Sequence, residues 1–373
     1  MVYRNFKDIK LSRLGMGNMR LPVVGDKHGA PVDRERAQEI IDYAMANGVN
    51  YFDTAYVYHN GESEKFLGEA LAKYPRDSYY LATKFFILAS TDYKAVFEEQ
   101  LSRLKTDYID FYLVHGIFDH TYQQYLDCGC IDYLLEQKEK GRIRHLGFSS
   151  HANFENFTTF VNHREWDFCM IMLNPYDWVY GTCKQEYELL AERKVPIIAM
   201  EPVRGGRIIA LSAEAEKILK DARPSWSTAE WVLRWGKSRE DSLVVLSGMS
   251  ALAQIEENVA LFNDDTGLSA EEEAILYKAL EAFKKEMQVA CTDCRYCVED
   301  NTCPLEINIP KYLEVYNTYK IDGPWGLSGL DNIETTGKPT DCTACGKCTE
   351  RCPQSINIHG IIGELAELIK NRP

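Results

Sequence analysis

The sequence predicts a two-part α/β chain, in which a (β/α)8 TIM barrel over residues 1–285 precedes a small α-helical domain over residues 286–373. Up to about residue 285, eight short apolar runs alternate with amphipathic helical patterns, which is the order of a closed parallel sheet. That length is also ordinary for this barrel. A cysteine-rich repeat follows and marks the second part of the chain.

The eight apolar runs have the lengths of buried strands, and they lie at residues 11–17, 49–53, 79–83, 109–115, 144–150, 167–173, 195–200 and 242–248. The first helical pattern spans residues 33–48, with Asp33 as its N-cap and Gly48 at its end. An open doubly wound sheet is the alternative. It is disfavoured because no GxGxxG motif lies between the first run and this helix.

Composition excludes several classes of function. The 373 residues carry a formal net charge of −14, which argues against nucleic-acid partners and against an anionic membrane surface. No apolar stretch has the length of a membrane span, and residues 1–10 do not resemble a signal peptide. We therefore expect a cytoplasmic protein.

Polar side chains follow three successive runs. Asp53 ends the second run, Lys84 follows the third and His115 ends the fourth. In a TIM barrel the carboxyl ends of the strands surround the active site, so we expect these side chains to face one pocket. Any one of them alone is more often a satisfied core or rim residue, but their joint position favours a function.

These residues predict a proton donor. A tyrosine has a reference pKa of about 10, and a neighbouring ammonium lowers it by favouring the phenolate. Lys84 can supply that charge to a nearby tyrosine, and Asp53 can hold Lys84 in position. With His115 hydrogen-bonded to the substrate oxygen, the set predicts general acid catalysis on a carbonyl.

Eight of the 12 cysteines form an internal repeat of three cysteines at two-residue gaps and a fourth followed by proline. The first copy contains Cys291, Cys294, Cys297 and Cys303, and the second contains Cys342, Cys345, Cys348 and Cys352. Two extra residues precede Cys303. Past the prolines the copies agree again, in the segments INI at 307–309 and 356–358.

This spacing is typical of bacterial ferredoxins with two [4Fe–4S] clusters, in which each run supplies the fourth ligand of the other cluster. We predict one cluster on Cys291, Cys294, Cys297 and Cys352, and one on Cys342, Cys345, Cys348 and Cys303. A zinc site and a disulfide framework are the alternatives. The clusters would either carry electrons or have a structural role.

Several segments resemble the aldo-keto reductase family, and together they cover nearly the whole chain. DTAYVYHNGESEKFLGEAL (53–71) is similar to the family signature, and LATKF (81–85) and DYIDFYLVHG (107–116) are similar to its lysine and histidine segments. MEPVRGGRI (200–208) and VLSGMSALAQIEENVALF (245–262) resemble the branch with a C-terminal ferredoxin-like extension.

The resemblance implies a catalytic tetrad of Asp53, Tyr58, Lys84 and His115, with Tyr58 as the acid and Tyr56 in the pocket wall. It also implies NADP or NAD bound along the strand ends without a Rossmann motif. The segments that match the family's cofactor contacts contain Gly17, Asn18, Met19, Ser149, Ser150, Met170, Met200, Glu201, Pro202, Val203, Gly205, Gly206, Gly248, Met249, Gln254, Glu257 and Asn258.

Five of these positions depart from the family pattern. Ser150, Met170 and Met200 replace the usual Asn, Gln and ring-stacking aromatic residue. Gly248 and Gln254 replace the basic residues that commonly bind the 2′-phosphate, so charge-assisted bonds to that group are lost. NADH, or use of both cofactors, therefore becomes plausible.

The sequence thus predicts an oxidoreductase that interconverts a carbonyl and an alcohol, coupled to or stabilised by two [4Fe–4S] clusters. Its substrate would be a small carbonyl or alcohol, and a ferredoxin or flavoprotein is the candidate electron partner. The alternative is a non-catalytic electron-transfer or binding module on the same scaffold.

Three helices are expected around the cysteine runs, at residues 267–288, 309–321 and 356–371. The first begins with Ser269 and Glu272 in the pattern of a capping box. Residues 322–339 are rich in turn formers and predict a loop, in which Trp325 is expected to pack.

Overall fold

The computed structural model describes residues 1–25, 30–286, 289–322, 326–327, 329–330 and 333–371. The chain forms two compact units. The first comprises Met1–Val203 and Ala229–Glu273, and the second comprises Arg204–Thr228 and Ala274–Pro373. The domain boundary expected near residue 285 stays a prediction, and Trp325 lies outside the described residues.

The first unit contains a closed barrel of eight parallel strands, in the order β10-β3-β4-β5-β6-β7-β8-β9. These strands are β3 (Leu14–Gly17), β4 (Tyr51–Asp53), β5 (Tyr80–Phe85), β6 (Ile109–Ile117), β7 (Ile143–Ser150), β8 (Phe168–Met172), β9 (Ile197–Met200) and β10 (Ser242–Gly248). Each overlaps one of the eight predicted runs. The (β/α)8 barrel is therefore confirmed.

A short antiparallel hairpin precedes the barrel, made of β1 (Tyr3–Phe6) and β2 (Ile9–Ser12). Phe6 is 2% exposed, and its ring lies 5.4 Å from that of Phe111 on β6. Because the hairpin leads directly into β3, it closes the amino-terminal end of the barrel with apolar side chains. The opposite, carboxyl end of the strands is left for polar residues.

Helices connect the strands and continue into the second unit. In chain order they are α1 (Arg34–Ala46), α2 (Glu62–Leu71), α3 (Tyr93–Arg103), α4 (Tyr122–Asp127), α5 (Cys130–Glu139), α6 (Phe154–Asn162), α7 (Pro175–Tyr180), α8 (Cys183–Glu192), α9 (Ala213–Ala222), α10 (Thr228–Lys237), α11 (Leu252–Leu261), α12 (Ala270–Glu286), α13 (Ile309–Asp322), α14 (Lys347–Glu350) and α15 (Ile358–Lys370). Across the part of the chain that is described, every helix is too short or too polar to cross a lipid bilayer.

Side-chain caps define several of the helix starts. The Asp33 carboxylate accepts from the backbone N–H of Arg36 at the start of α1. At α12, Glu272 accepts from the N–H of Ser269, and the Ser269 hydroxyl accepts from the N–H of Glu272. The predicted capping box is therefore confirmed, and it satisfies two N–H groups that the helix itself cannot bond.

The second unit repeats one structural motif. α13 begins at Ile309 and α15 at Ile358, each directly after an Ile-Asn pair. In both copies the same short backbone bond precedes the helix, from Ile309 N to Ile307 O and from Ile358 N to Ile356 O, each at 2.7 Å. The apolar sides of these helices pack into one buried core with the cysteine runs. The sequence repeat is thus also a repeat of structure.

Candidate functional site

The barrel register brings Asp53, Lys84 and His115 together. Asp53 on β4 pairs with Ala82 on β5, and Lys84 lies two residues further along that strand. Lys84 in turn pairs with Leu113 on β6, and His115 lies two residues beyond. Because side chains two residues apart point to the same face of a strand, all three lie on the inner face near the carboxyl ends.

Lys84 is the centre of the contacts in this group. Its ammonium donates to Asp53 Oδ1 at 2.5 Å, to the carbonyl of Thr54 at 2.6 Å and to the Tyr58 hydroxyl at 3.4 Å. The Tyr58 ring lies edge-on to the His115 imidazole, with the ring centres 5.9 Å apart. Lys84 is 1% exposed, whereas Tyr58 is only partly buried. Tyr58 is therefore the member of the group nearest to solvent.

Burial dominates the electrostatics of the group. It lowers the pKa of Lys84 and raises the pKa of Asp53, and in each case the charge of the partner opposes the shift. Burial also lowers the pKa of His115 well below its usual value, with the Lys84 ammonium acting in the same direction. His115 is therefore neutral at neutral pH.

Two residues of the signature segment, Ser63 and Glu64, form hydrogen bonds to residues that adjoin the site. The sequence analysis did not predict this supporting role. Ser63 lies 2.8 Å from the Thr54 hydroxyl and donates to the carbonyl of Asn18. Glu64 is fully buried and accepts from Thr83 at 2.6 Å, next to Lys84 in the chain. The Ser-Glu pair in the signature segment was the signal that could have indicated this supporting role. A buried carboxylate such as that of Glu64 is retained only when it has several partners.

Tyr125 on α4 is a second supporting residue that was not predicted. Its hydroxyl donates to the carbonyl of His115 at 2.6 Å and accepts from the N–H of Ile87 at 2.9 Å. It therefore ties the ends of β5 and β6 to each other. Tyr56, expected in the pocket wall, directs its hydroxyl to Glu99 on α3 at 2.9 Å.

Several buried polar atoms at the carboxyl ends of the strands have no hydrogen-bond partner among the described residues: Asn18 Oδ1, Asp53 Oδ2, His115 Nδ1 and His151 Nδ1. Buried polar atoms in native proteins are almost always paired, with protein, water or ligand. This end of the barrel therefore has the chemistry to bind a polar ligand such as a carboxamide or a carbonyl compound.

The other candidate cofactor residues are divided between the two units. Gly205 and Gly206, with φ of 64° and 92°, belong to the second unit, and the rest belong to the first. Met170 is 1% exposed in the barrel core, whereas Met200 is partly buried. Gln254 accepts from the N–H groups of Ser250 and Ala251 and so caps its own helix, α11.

Among the remaining candidate cofactor residues, polar contacts within the barrel unit include those of Ser149, Ser150 and Asn258. Ser149 accepts from the N–H of Gly116 at 2.9 Å, and Ser150 lies 3.4 Å from the carbonyl of Ile117. Asn258 on α11 donates to Ser247 at the end of β10. Further candidates lie at strand ends: Gly17 ends β3 and Met19 follows it, Glu201, Pro202 and Val203 follow β9, and Gly248 ends β10 with Met249 after it.

The eight cysteines of the repeat line two cavities in the second unit. One is lined by Cys291, Cys294, Cys297 and Cys352. The other is lined by Cys303, Cys342, Cys345 and Cys348. These are the two sets of four predicted from the sequence, with the fourth cysteine exchanged between runs.

Backbone N–H groups are directed at sulfur in the same way in both runs. Asp293 donates to Cys291 Sγ and Ala344 donates to Cys342 Sγ, each at 3.4 Å. Asp293 and Ala344 have φ of 51° and 54°, a conformation that non-glycine residues rarely adopt. N–H groups aimed at sulfur stabilise a thiolate, so both cavities have the donor set of an iron–sulfur cluster.

No three of the described Cys, His, Asp or Glu side chains are close enough to share one metal ion. A cubane does not require that arrangement, because each of its four thiolates bonds a different iron atom.

Comparison with known proteins identifies both parts of the chain. The sequence model of the aldo/keto reductase family matches residues 13–281. The chain belongs to this family. A second model, that of the 4Fe-4S dicluster domain, matches residues 290–356. The protein is therefore an aldo-keto reductase with a C-terminal ferredoxin-like iron–sulfur domain, and it belongs to a family of oxidoreductases.

Individual relatives of this aldo-keto reductase match about three quarters of the chain. It is 26% identical to the uncharacterized oxidoreductase YqkF of Bacillus subtilis, over 75% of this chain and 94% of that protein. It is also 26% identical to the NADH-specific methylglyoxal reductase of Escherichia coli, over 74% and 97%. Among solved structures, the holo form of the aldo-keto reductase AKR11C1 from Bacillus halodurans superposes with a TM-score of 0.62 and 26% identity, over 75% of this chain and 96% of that one.

Proposed function

We propose that this chain interconverts a small carbonyl compound and the corresponding alcohol, with NAD or NADP as the hydride carrier and Tyr58 as the proton donor. The observation that carries the proposal is the chain of contacts from Asp53 through Lys84 to the Tyr58 hydroxyl, which reaches the least buried member of the group. The iron–sulfur domain would hold two [4Fe–4S] clusters on the two sets of cysteines.

Each residue has a defined part in the proton transfer. In reduction, the Tyr58 hydroxyl donates its proton to the substrate oxygen, and the Lys84 ammonium stabilises the negative charge left on the phenolate. Asp53 fixes the direction of that ammonium. The neutral His115 imidazole can donate a hydrogen bond to the substrate oxygen and thereby orient the carbonyl. The nicotinamide, when bound, supplies or accepts the hydride.

The proposed nicotinamide contacts lie at the strand ends, where Asn18, Ser149 and Ser150 offer polar groups to a carboxamide. The segment 248–258 contains no Lys or Arg, so charge-assisted bonds to a 2′-phosphate are missing there. The name of the NADH-specific relative in Escherichia coli is consistent with this. We therefore expect this aldo-keto reductase to accept NADH at least as well as NADPH.

Removal of one hydroxyl tests the proposal. Tyr58→Phe should lower kcat for reduction of small aldehydes, sugars or ketones by about 10²–10⁴-fold, the usual contribution of a general acid. Nicotinamide binding, followed by fluorescence quenching, should be retained. Both are measured anaerobically with NADH and with NADPH on the full-length, iron-loaded protein.

Tyr56→Phe is the matched control, because it removes a neighbouring tyrosine hydroxyl that bonds Glu99 rather than Lys84. We expect it to keep most of the turnover. Full turnover in Tyr58→Phe would overturn the assignment of the acid.

The second candidate function is a non-catalytic electron carrier or binding module on this scaffold. Two observations favour it: Met170 is buried in the barrel core, and the Gln254 side chain is occupied in capping α11. Absence of fluorescence quenching at high concentrations of both nicotinamide cofactors would support the carrier. Saturable quenching together with turnover would support the enzyme.

A further inference from the structure

Two arginines hold the segment after β9 to the first cysteine run, within the second unit. Arg204 donates to the carbonyl of Ala290 at 2.7 Å and to Gln354 Oε1 at 2.5 Å. Arg207 donates to the carbonyl of Cys291 at 2.8 Å. Neither arginine is part of the cysteine repeat in sequence.

The acceptors of these bonds lie beside one set of four cysteines. Ala290 directly precedes Cys291, and Gln354 lies two residues after Cys352. Both Cys291 and Cys352 line the first of the two cavities, and Gln354 lines it as well. The two guanidinium groups therefore lie next to that cavity and bring positive charge to it.

The side chain of Arg204 is held firmly in this position. It is 3% exposed, and its backbone has φ of 50°, in the left-handed region that costs a non-glycine residue free energy. A buried guanidinium in a strained backbone position is retained only when its surroundings compensate for it. Two hydrogen bonds to residues beside one cysteine set, at Ala290 and Gln354, are part of that compensation.

Other arginines near the cysteines are paired with carboxylates. Arg295 lies 3.2 Å from Asp293, and Arg351 lies 3.3 Å from Asp300, so their charges are partly neutralised. Arg207 forms no such ion pair with a described carboxylate, and the bond that it does form goes to a neutral backbone carbonyl. Its charge therefore acts on its surroundings with less cancellation.

The two cavities differ in their charged neighbours. Arg204 and Arg207 donate to groups beside the first set, at Ala290, Gln354 and Cys291. At the other cavity, Arg351 donates to Thr302 in the lining, but it also forms an ion pair with Asp300. The charge of Arg207, which forms no ion pair with a described carboxylate, therefore lies beside the first set.

Net charge and hydrogen bonding near a [4Fe–4S] cluster help to set its reduction potential. Reduction adds negative charge to an already anionic group, so a nearby cation favours the reduced state, and more strongly where water is excluded. Burial alone acts in the opposite direction, because it penalises added charge.

We propose that Arg204 and Arg207 raise the reduction potential of the cluster held by Cys291, Cys294, Cys297 and Cys352, and that they act on this cluster and not on the other. They are positioning and tuning residues rather than catalytic ones. The proposal rests on the cluster ligands proposed above. It makes the two clusters inequivalent, so that one electron is held preferentially on the set beside the arginines.

The test is a redox titration of the full-length, iron-loaded protein with dithionite, followed by electron paramagnetic resonance and visible absorption. In Arg207→Gln, one of the two midpoint potentials should fall and the other should stay unchanged. Loss of one nearby charge should change the reduction equilibrium of that cluster about tenfold, which is 59 mV for one electron. Arg207→Lys, which keeps the charge, should shift it much less.

Arg204→Lys and Arg204→Gln form the second pair, read in the same way. Iron and sulfide content separates the proposal of two clusters from the proposal that the arginines tune one of them. Two [4Fe–4S] clusters require about eight iron atoms per chain. Fewer iron atoms in the unmodified protein would refute the two clusters themselves. With full iron content, the tuning role is overturned if neither midpoint changes in Arg207→Gln or if both shift equally.

A ligand variant assigns the responding cluster. Cys345→Ser alters only the set that lies away from the arginines. In that background, the signal that responds to Arg207→Gln should be the one that Cys345→Ser leaves intact. Response of the altered signal instead would contradict the proposal.

Discussion

At the scale of single residues, the site depends on how a buried ion pair is used. Asp53 and Lys84 are almost fully buried, and taking two charges out of water costs several kcal/mol per ion before their attraction offsets it. Such a pair is weak evidence for stability. Its third contact, 3.4 Å from Lys84 to the phenol oxygen of Tyr58, gives a chemical reason for its presence at the open end of the barrel.

The same burial predicts how the rate depends on pH. Burial and the Lys84 ammonium hold the pKa of His115 well below its usual value, so the imidazole is already neutral at neutral pH. Raising the pH through 6.5 therefore removes no proton from His115 and cannot change its hydrogen bonding. We expect His115→Gln to lower kcat/KM by about 10²-fold, because the glutamine amide does not place its N–H where the imidazole N–H lies and the oriented donor is displaced.

The measurement is kcat/KM for carbonyl reduction from pH 5.5 to 8 in both proteins. The two pH profiles should run parallel, separated by a constant factor. An inflection near pH 6.5 in the unmodified protein that disappears in His115→Gln would show that this histidine does titrate during turnover.

At the scale of elements, the second unit contains two copies of one structural motif. In each copy an N–H is directed at the sulfur of the first cysteine, a residue with positive φ follows the fourth cysteine, and a helix starts after an Ile-Asn pair. The residues with positive φ are Glu306 and Ser355, at 52° and 51°. Because two cavities are formed by exchange of the fourth cysteine, neither copy can complete its site alone.

This exchange predicts which cysteine pairs act as a unit. Cys291→Ala combined with Cys352→Ala should lose only one cluster and keep about half of the iron, since both line the same cavity. Cys342→Ala combined with Cys352→Ala should lose both clusters, although these cysteines belong to one run. Iron and sulfide analysis after anaerobic purification measures the difference.

Cys128→Ala is the control, because this exposed cysteine lies outside the repeat and should leave the iron content unchanged. If the double variant within one run kept half of the iron and the double variant across runs lost all of it, each run would hold its own cluster.

What the sequence could predict at this scale depended on local pattern. The eight strands were found because apolar runs of strand length alternate with helical periodicity, and the capping box at Ser269 because it needs only residues within one turn. The hairpin β1–β2 was missed because its first strand has mixed polarity and one buried side chain, Phe6. That side chain is fixed by Phe111, about 100 residues away, which no local pattern reveals.

For the candidate site, sequence order along successive strands was enough to bring Asp53, Lys84 and His115 together. The supporting residues were not found, because Tyr125 and Glu64 act through hydrogen bonds to residues on other elements, which leave no periodic signal in the sequence. Likewise, nothing near Arg204 in the sequence indicates that its partners are Ala290 and Gln354.

At the scale of the whole molecule, the division into two units does not follow the order of the chain. The segment Arg204–Thr228 interrupts the barrel sequence between β9 and α10, yet it packs with Ala274–Pro373. It begins directly after Val203, a candidate cofactor residue that belongs to the first unit. The chain therefore passes from β9, which ends at Met200, into the second unit within four residues.

This arrangement predicts what happens when iron is withheld. Without clusters, the two sets of four cysteines lose the groups that hold the two runs together, and the buried core that α13 and α15 form with these cysteines is weakened. Hydrogen exchange should then accelerate in α13 and α15, and equally in Arg204–Thr228, where Arg204 and Arg207 lose their ordered acceptors at Ala290 and Cys291. The central barrel strand β6 should keep its protection.

The comparison is made by hydrogen–deuterium exchange with mass spectrometry on the full-length protein, purified with and without iron, at one pH and temperature. β6 serves as the internal reference because all nine of its residues are buried. If Arg204–Thr228 stayed protected while α13 and α15 opened, this segment would be held by something other than the cysteine runs, and the tuning role of Arg204 and Arg207 would lose its structural basis.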